Sequence, residues 1–351
     1  MLSYIIVGSG YRAEYFGRVA KTYPSLFRAM FLCRSEEKKE RMTAHTGIPA
    51  TTDGAECLAF QPDFVVIAVD RGHMTQVAEE WIQKGFPVVT ETPVGESPDQ
   101  LCRLWALGKQ GAKIVSCEQY HRVPMIACGL QAVQDGLIGE PDSVYISLLH
   151  DYHAASVIRP ALRLSGSEKY TVIGMEHTGQ VAATDSREGA ILDGRTQPAV
   201  RMTAQIIYDC GKHALYDFCP VQYRSYIRSR HLVVRGSRGE WSDQAVSFVN
   251  ENNRPEKLFL LPDLPEKYRC LDTQALRDRR RNWQPDLAPD TVQDEYAIAS
   301  ILLDMEDYLR GGPSPYSLEN SLNDAYFWIL LKAAAQNPLQ PVRSEEMPWM
   351  I

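Results

Sequence analysis

The chain has 351 residues, of which 44% are hydrophobic and 23% are charged. These values are ordinary for a globular protein and exclude a collagen-like or largely disordered chain. The 37 basic and 44 acidic residues give a formal net charge of −7. A general basic surface is therefore absent, and no nucleic-acid partner is expected. This length predicts two domains or one large domain.

Neither a membrane span nor a signal peptide is predicted. The longest apolar runs, Phe64–Val69 and Trp328–Leu331, are far shorter than the roughly 18 residues that a spanning helix requires. The apolar N-terminus lacks a basic region and is interrupted at Gly8, which favours a first strand. The eight cysteines form no Cys-x-x-Cys pair, which predicts reduced thiols and a cytoplasmic location.

Apolar runs alternate with polar, amphipathic runs through the first third of the chain. The uniformly apolar runs predict strands that are buried on both faces, and the runs between them predict helices. The predicted strands are Tyr4–Val7, Phe27–Cys33, Phe64–Val69, Pro87–Thr90 and Lys113–Cys117. The predicted helices are Arg12–Lys21, Glu36–His45, Met74–Lys84 and Asp99–Lys109. This α/β alternation predicts a Rossmann domain with a doubly wound parallel sheet over residues 1–122.

The pattern changes after a predicted helix over Pro124–Asp135. Strand-like runs then follow one another without helices between them, which predicts an open, mostly antiparallel sheet with one covered face. These runs are Ser143–Leu149, Tyr170–Met175, Arg201–Asp209, Lys212–Phe218 and Leu232–Arg235. Residues 250–290 predict loops, and two helices, Asp294–Leu309 and Leu318–Ala335, close an α+β domain over residues 123–351.

The first predicted strand leads into the hexapeptide 8–13, which has the pattern Gly-x-Gly-x-x-Ala. Gly8 allows a tight turn, Gly10 lets the backbone approach a pyrophosphate, and Ala13 permits close packing of helix on strand. The helix N-terminus offers N–H donors and a positive dipole to the phosphates. An ordinary glycine-rich turn is the alternative, but the strand before and the helix after favour a dinucleotide site. The predicted contacts are Gly8, Gly10, Tyr11, Arg12 and Ala13.

The end of the second strand bears on which dinucleotide is bound. An acidic residue there would bind the ribose 2′-hydroxyl of NAD. Arg34 and Ser35 occupy this position instead. A guanidinium suits a 2′-phosphate, so the sequence favours NADP, with NAD possible. A surface arginine at a strand end is the alternative interpretation.

Polar residues also follow the later strands, at the sheet edge where ligands of open α/β folds lie. Val69 ends one strand and His73 comes four residues after it, Glu91–Pro93 follow the next strand, and Tyr120–Arg122 come after the last. His73 either contacts the nicotinamide end of the cofactor or begins the next helix. Pro93 is a candidate for a cis peptide bond.

The densest titratable cluster is His150–His153, with the sequence His-Asp-Tyr-His. A histidine beside a carboxylate can act as a general acid or base near neutral pH. If a strand continues through this run, Asp151 and His153 share one face. An edge strand with solvated polar residues is the alternative. A metal would need further ligands with a recognisable spacing, so no metal is predicted.

Together these residues resemble the Gfo/Idh/MocA family of glucose–fructose oxidoreductases and inositol dehydrogenases. The segments that carry the resemblance are Ile5–Gly10, Pro62–Val69, Gly85–Pro93, Gly136–Glu140, Asp294–Glu295 and Pro315–Leu318. The resemblance implies a Rossmann domain, an α+β domain with an open sheet, NAD(P), and sugar- or polyol-like substrates. It also implies a homodimer or homotetramer built through the open sheet.

Two positions depart from the pattern of the family. Its usual Glu-Lys-Pro is Glu91-Thr92-Pro93 here, so a neutral hydroxyl replaces a lysine ammonium near the substrate. By its spacing to the following helix, His153 matches the histidine of the family's Asp-x-x-x-His motif. The position four residues earlier is Leu149, and Asp151 is the candidate substitute.

These inferences predict an NAD(P)-dependent oxidoreductase that transfers a hydride between nicotinamide and a small sugar- or polyol-like molecule. His153 is the predicted acid/base, and Asp151 is predicted to orient it. Thr92 is the third predicted catalytic residue and occupies the position of the family's lysine. The predicted substrate-positioning residues are Tyr120, His121 and Arg122. Two alternatives stay open: redox-assisted elimination or hydrolysis of a glycoside with retained cofactor, and a non-catalytic sensor that binds NADP(H) or a sugar.

Overall fold

The computed structural model describes residues 1–186, 189–261, 264–272 and 290–350, without the side chains of residues 290–293. These residues form two compact units. The first contains residues 1–119, 265–272 and 291–326, and the second contains the described residues of 120–264 together with 327–350. Within the described ranges, no helix combines the length and the apolar character needed to cross a membrane.

The first unit is built on a parallel sheet. Its strands are β1 (Leu2–Val7), β2 (Phe27–Leu32), β3 (Ala50–Thr51), β4 (Phe64–Ile67), β5 (Val88–Thr90) and β6 (Ile114–Ser116). They lie in the order β3-β2-β1-β4-β5-β6, and all neighbours are parallel. This is the doubly wound order, with its switch point between β1 and β4. The predicted Rossmann sheet is therefore confirmed.

Helices connect the strands of this sheet, and further helices follow in the rest of the chain. In chain order they are α1 (Tyr11–Thr22), α2 (Glu36–Thr46), α3 (Gly54–Ala59), α4 (Arg71–Gln83), α5 (Pro98–Lys109), α6 (Pro124–Gln134), α7 (Asp151–Ala161), α8 (Asp290–Leu309) and α9 (Leu318–Gln336). Short 3-10 helices occur at Tyr120–Arg122, Pro220–Arg224 and Glu266–Leu271.

Local chemistry sets the ends of the helices near the sheet edge. Ser35 caps α2, because its hydroxyl accepts a hydrogen bond from the N–H of Lys38 at 3.4 Å. Gly47 ends the same helix with a φ of 74°, a left-handed conformation that glycine adopts without strain. Asp70 caps α4 by accepting from the N–H of Gly72 at 3.1 Å. Each cap satisfies a backbone group that the helix leaves without a partner.

Residues far along the chain complete the first unit. The hydroxyl of Tyr23 donates to the carbonyl of Leu271 at 3.0 Å. The ammonium of Lys113 donates to the carbonyls of Tyr308 and Leu309 at the end of α8, at 2.7 and 2.9 Å. A cation at this position suits the negative end of the helix dipole. The unit is therefore assembled from both ends of the sequence.

The second unit is built on a nine-stranded sheet. Its strands and those of a small two-stranded sheet are β7 (Pro141–Ser147), β8 (Tyr170–Ala182), β9 (Asp185–Ser186), β10 (Gly189–Ala190), β11 (Thr196–Tyr208), β12 (His213–Phe218), β13 (His231–Gly236), β14 (Gly239–Ser242), β15 (Ala245–Val249), β16 (Pro255–Phe259) and β17 (Val342–Arg343). The large sheet has the order β16-β15-β14-β13-β7-β12-β11-β8-β17. Only β7 and β12 run parallel. The predicted open, mostly antiparallel sheet is confirmed.

One face of this large sheet is packed and the other is open. On the packed face, the indole of Trp241 lies against Gly129 of α6, where an added Cβ would be 2.0 Å from the ring. On the opposite face, Ile207 and Leu215 on neighbouring strands are 40% and 45% exposed. An antiparallel sheet with one covered face commonly shows this division.

Three expectations about individual elements were wrong. The strand predicted over Ser143–Leu149 ends at Ser147 and does not continue through His150–His153, because α7 begins at Asp151. The strand predicted over Tyr170–Met175 continues to Ala182, because it pairs with β11 along its whole length. The predicted loop region 250–290 contains β16 and a 3-10 helix, and part of it lies outside the described residues.

Candidate functional site

A glycine cradle lies between β1 and α1. Gly8 has a φ of 136°, and a Cβ there would be 2.1 Å from the carbonyl oxygen of Ala68, so only glycine fits. Gly10 is the N-cap of α1, and no described atom lies within 4 Å of the position a Cβ would take. Because glycine has no side chain to cap the helix, the first N–H groups of α1 can serve a phosphate. Ala13 is fully buried, as close helix packing requires.

The side chain of Arg12 bonds to protein carboxylates. Its guanidinium makes two hydrogen bonds to Glu91, at 3.0 and 3.1 Å, and lies 3.6 Å from Asp294. Burial alone would lower the pKa of Arg12, but Glu91 and Asp294 outweigh it and hold this pKa well above its ordinary value. The backbone N–H of Arg12 is therefore its available contribution to a cofactor. The neighbouring Tyr11 hydroxyl lies 2.9 Å from that of Tyr15.

Cationic side chains collect at the end of β2. Arg34 is exposed, and the Ser35 hydroxyl is used as the cap of α2. Arg41 on α2 donates a hydrogen bond to the carbonyl of Ser9 inside the glycine cradle. Sequence reasoning missed Arg41, because a contact across 32 residues leaves no local signal. The sequence shows only that Arg41 follows Lys38 by about one helical turn, which places both side chains on the same face of α2.

The ends of β4 and β5 carry the other predicted cofactor residues, Val69, His73 and Glu91, and the predicted catalytic residue Thr92. Val69 is half-buried, Glu91 is buried, and Thr92 precedes Pro93 through a cis peptide bond. His73 is the third residue of α4, and its Nδ1 lies 3.7 Å from Asp70. The interpretation that His73 belongs to the start of this helix is confirmed. A contact between His73 and the cofactor stays a prediction.

Gln119, which follows β6, has a side-chain carbonyl oxygen with no hydrogen-bond partner among the described residues. The residue is only 1% exposed. A buried acceptor without a donor costs about 1–3 kcal/mol, so such a group fits a site that a ligand completes. In a doubly wound sheet the half formed by β4, β5 and β6 receives the second mononucleotide. The glycine cradle and this buried acceptor together fit a dinucleotide.

An aromatic and imidazole cluster surrounds His153 in the second unit. His153 is 5% exposed, and its ring lies 4.6 Å from that of Tyr120, 4.5 Å from Tyr152 and 4.6 Å from His150. The sequence predicted Tyr120 and His153 as site residues, and the structure brings them together. Tyr223 joins the cluster from the 3-10 helix Pro220–Arg224, and no sequence signal pointed to it.

Asp151 lies at the start of α7 in a conformation that few residues adopt. Its φ of 43° is in the left-handed region, which aspartate tolerates better than most side chains. Its N–H donates to the hydroxyl of Tyr216 at 2.9 Å, and that hydroxyl lies 3.5 Å from the Asp151 carboxylate. Burial, and then the Asp151 charge, raise the pKa of Tyr216 above its ordinary value.

The helical start changes how Asp151 and His153 relate. In a strand, residues two apart share a face, whereas in a helix they point about 200° apart. A strand through this run was the condition for Asp151 and His153 to share a face, and this condition is not met. The orienting role of Asp151 stays a prediction.

His121 and Arg122 lie side by side in the 3-10 helix Tyr120–Arg122. Arg122 Nε donates to His121 Nε2 at 3.4 Å. The Nδ1 atom of His121 is shielded from solvent. Burial, and then the charges of Arg122 and Arg159, lower the pKa of His121 to about 3. His121 is therefore neutral at physiological pH and suits hydrogen bonding rather than charge.

Each unit contributes its own set of candidate groups. Thr92 belongs to the first unit and His153 to the second. Within the ranges that the structure covers, no group of three or more His, Cys, Asp or Glu side chains is arranged to hold a metal ion.

The fold and the glycine cradle define a dinucleotide-binding protein of the Rossmann class. Residues 2–119 match the family model GFO_IDH_MocA, described as an oxidoreductase family with an NAD-binding Rossmann fold. The predicted resemblance to this family is confirmed over these residues. No curated protein sequence matches the chain.

Solved structures share the fold over almost the whole chain. An oxidoreductase from Agrobacterium radiobacter, in complex with NAD+, L-tartaric acid and magnesium, has a TM-score of 0.71 and 13% identity, covering 97% of this chain and 98% of its own. A levoglucosan dehydrogenase in complex with NADH and levoglucosan has a TM-score of 0.70 and 13% identity, covering 97% and 99%. The WlbA dehydrogenase from Bordetella pertussis, in complex with NADH and UDP-GlcNAcA, has a TM-score of 0.66 and 14% identity, covering 98% of each chain.

Proposed function

We propose that this protein is an NADP-preferring oxidoreductase that transfers a hydride between the nicotinamide and a sugar- or polyol-like hydroxyl or carbonyl. The observation that carries the proposal is the glycine cradle at Gly8 and Gly10, placed beside the β1–β4 switch point of a doubly wound sheet. Two findings support it: the oxidoreductase family model that residues 2–119 match, and the sugar-related ligands named for two of the structural neighbours.

The charge at the end of β2 supports NADP over NAD. Arg34 is exposed there, Lys38 and Arg41 lie in the first and second turns of α2, and no acid occupies the β2 end at positions 33–35. A ribose 2′-hydroxyl would call for a carboxylate acceptor, whereas a 2′-phosphate calls for cations. We assign the 2′-phosphate to Arg34, with Ser35 as an additional hydroxyl donor.

The residues of the chain bind and orient the cofactor and the substrate and move a proton. The nicotinamide supplies or accepts the hydride when it is bound. The N-terminus of α1 would hold the pyrophosphate, and the Gln119 side-chain oxygen would accept a hydrogen bond from the carboxamide of the nicotinamide. His153 gives a proton to the reacting oxygen in reduction and takes it in oxidation. A positioned acid/base is needed because Thr92 cannot supply the charge of a lysine ammonium. Tyr120, His121 and Arg122 position the substrate.

The first experiment is a panel of sugars, polyols and their oxidised forms, followed through the absorbance of NADPH. We expect at least one member of the panel to turn over. His153→Asn then lowers turnover by roughly 10²–10⁴-fold without weakening NADP binding, and Asp151→Asn lowers it less. Normal turnover by His153→Asn with an unchanged pH profile contradicts the assignment and makes Tyr120 or His121 the first candidate.

A non-catalytic sensor of NADP(H) or a sugar is the second candidate, and Thr92 is the observation that favours it. It predicts calorimetric NADPH binding with no turnover of any panel member. Redox-assisted elimination or hydrolysis of a glycoside predicts conversion of the sugar with no net change in NADPH absorbance. Product analysis beside the absorbance assay therefore separates the three functions.

We further propose a homodimer or homotetramer that forms through the open face of the large sheet. The exposed Ile207 and Leu215 support this interface, because large exposed apolar faces commonly mark interaction sites. A cytoplasmic location is also proposed, since none of the eight cysteines forms a disulfide.

A further inference from the structure

Two tyrosine hydroxyls hold the first residues of α7. The hydroxyl oxygen of Tyr223 accepts a hydrogen bond from the backbone N–H of His150 at 3.1 Å, and that of Tyr216 accepts from the N–H of Asp151 at 2.9 Å. A backbone N–H can only donate, so the direction of both bonds is fixed. These N–H groups lie at the helix end, where the helix itself provides no acceptor.

The same turn fixes the backbone of His153. The N–H of His153 donates to the carbonyl of His150 at 3.1 Å, which closes the first turn of α7. Between them, Asp151 has a φ of 43°, a left-handed conformation that persists only where the surrounding contacts hold it. The position of His153 therefore depends on where the two tyrosine hydroxyls hold the start of this helix.

A long hairpin reaches the residues that follow Tyr223. β8 and β11 pair along their whole length, and this pairing continues from Arg201 to Thr196, beyond the last residue of β11 that pairs with β12. At roughly 3.4 Å per residue, this extension spans about 20 Å. It brings Thr184, which follows β8, to the connection between β12 and β13.

Three hydrogen bonds join the hairpin to this connection. The hydroxyl oxygen of Thr184 accepts from the N–H of Tyr226 at 3.1 Å, and the same hydroxyl donates to the carbonyl of Arg224 at 3.4 Å. The guanidinium of Arg224 donates in turn to the carbonyl of Ser186 at 3.1 Å. Because Tyr223 immediately precedes Arg224, the hairpin sets where the Tyr223 hydroxyl lies.

We propose that Thr184 and Tyr223 are positioning residues for His153, through which the β8–β11 hairpin places the acid/base of the site. The path runs from Thr184 to residues 224–226, and then through the Tyr223 hydroxyl to the backbone of His150 and the first turn of α7. Each step is a hydrogen bond or a length of covalent backbone. The proposal rests on the proposed oxidoreductase function, because it takes His153 as the acid/base.

The test measures the start of α7 without a substrate. In the isotopically labelled full-length protein, amide exchange followed by NMR reports how firmly the N–H of His150 is bonded, and the ring signals of His153 report its surroundings. Thr184→Val removes the hydroxyl at nearly constant size, Thr184→Ser keeps it, and Tyr223→Phe removes the acceptor of the His150 N–H. Thr178→Val is the matched control, because Thr178 is exposed on β8.

We expect Tyr223→Phe to speed exchange of the His150 N–H by about tenfold or more, and Thr184→Val by about threefold or more, because each loosens the anchor of the helix. Both substitutions shift or split the ring signals of His153. Since Thr184 acts through Tyr223, Thr184→Val adds nothing further in the Tyr223→Phe background. Thr184→Ser and Thr178→Val behave as the unmodified protein does.

Two results overturn the proposal. One is a Thr184→Val variant whose His150 exchange and His153 ring signals are unchanged, and the other is fully additive effects of Thr184→Val and Tyr223→Phe. Either result leaves the proposed oxidoreductase function standing. Absence of turnover in the NADPH panel rejects that function without changing the NMR results.

A substrate found in the panel gives a second measurement. A displacement of about 1 Å in a reacting group can cost roughly 10²-fold in rate. We therefore expect Thr184→Val to lower kcat by about tenfold while the Kd for NADPH is unchanged, and Thr184→Ser to restore kcat. An unchanged kcat in Thr184→Val contradicts the positioning role.

Discussion

The guanidinium of Arg12 meets the carboxylate of Glu91 through two hydrogen bonds of 3.0 and 3.1 Å, across 79 residues of sequence. Arg12 lies in the first turn of α1, which holds the glycine cradle, and Glu91 immediately precedes Thr92. The pair therefore couples the position of the cradle to the position of the loop that carries Thr92. A bidentate arginine–carboxylate pair fixes orientation as well as distance.

Arg12→Met removes the partner of two buried carboxylates, Glu91 and Asp294, which are 8% and 9% exposed. Loss of one member of a buried ion pair is costly, and because Arg12 is 30% exposed we expect about 2 kcal/mol of destabilisation. Arg12→Lys keeps the charge without the two-pronged geometry and is expected to lose less. Thermal unfolding of both variants measures the difference. Equal melting temperatures for Arg12→Met and the unmodified protein contradict a structural role for the pair.

The charge at the end of β2 leads to a prediction about cofactor choice. Arg34→Asp is expected to weaken NADP binding by roughly 10- to 100-fold, because a charged hydrogen bond is lost and a carboxylate faces the phosphate. NAD binding is expected to be kept or improved. Calorimetric titration with both dinucleotides measures this, and Arg310→Asp is the control, since Arg310 is 73% exposed at the end of α8. Tighter binding of NAD than NADP to the unmodified protein ends the claim.

His121 makes stability depend on pH. Its pKa of about 3 in the folded protein lies below the ordinary histidine value of about 6.5. Between these values the unfolded chain binds the extra proton, so stability falls as pH drops from 6.5 toward 3. Because His121 is partly exposed, we expect it to account for only about 2 kcal/mol of the loss in the free energy of unfolding. His121→Gln is expected to remove this contribution. Urea unfolding at pH 7 and pH 4.5 measures it, with the exposed His73→Gln as control.

Gly129 has a packing role that a larger residue cannot fill. A methyl group there would lie 2.0 Å from the indole of Trp241, so Gly129→Ala is expected to cost about 1–3 kcal/mol. An alanine normally stabilises a helix by up to about 1 kcal/mol relative to glycine. The change in stability expected for Gly129→Ala therefore has the opposite sign to the usual one. Gly54→Ala is the control, since no described atom lies within 4 Å of a Cβ at Gly54. A higher melting temperature for Gly129→Ala argues against the packing.

The open sheet face leads to a prediction about assembly. We expect the unmodified protein to scatter light as a multiple of 39.6 kDa at micromolar concentration. Leu215→Glu places a charge on the open face and is expected to shift the mass to that of one chain. Leu192→Glu is the control, because Leu192 is 91% exposed outside the large sheet. A single-chain mass for the unmodified protein contradicts the proposed interface.

The Rossmann part of the chain was predictable because its signals are local. Buried β-branched runs such as Phe64–Ile67 predict parallel strands wherever they occur, and the glycine pattern at 8–13 marks a turn by its own chemistry. The caps at Ser35 and Gly47 likewise depend on residues next to the helix they end. These elements lie close to their predicted positions.

The second unit was harder to predict, because its features depend on contacts between distant residues. The sequence left open that the strand before His150 continues through His153, but Asp151 adopts a left-handed φ and binds Tyr216, 65 residues away. The strand β16 lies in a stretch rich in polar residues and forms by pairing with β15. Tyr223 reaches His150 across 73 residues. None of these partners is visible in the local pattern.

The assembly of the first unit from both ends of the chain has a consequence for synthesis on the ribosome. Tyr23 emerges from the ribosome early, but its hydrogen-bond partner Leu271 is synthesised 248 residues later. The carbonyls of α8 that bind Lys113 are synthesised later still. The N-terminal sheet and its helices therefore emerge before these later contacts can form. The nascent chain must remain soluble in that incomplete state until residues beyond 309 have emerged, so chaperone demand is expected to be greatest while the second unit is being translated.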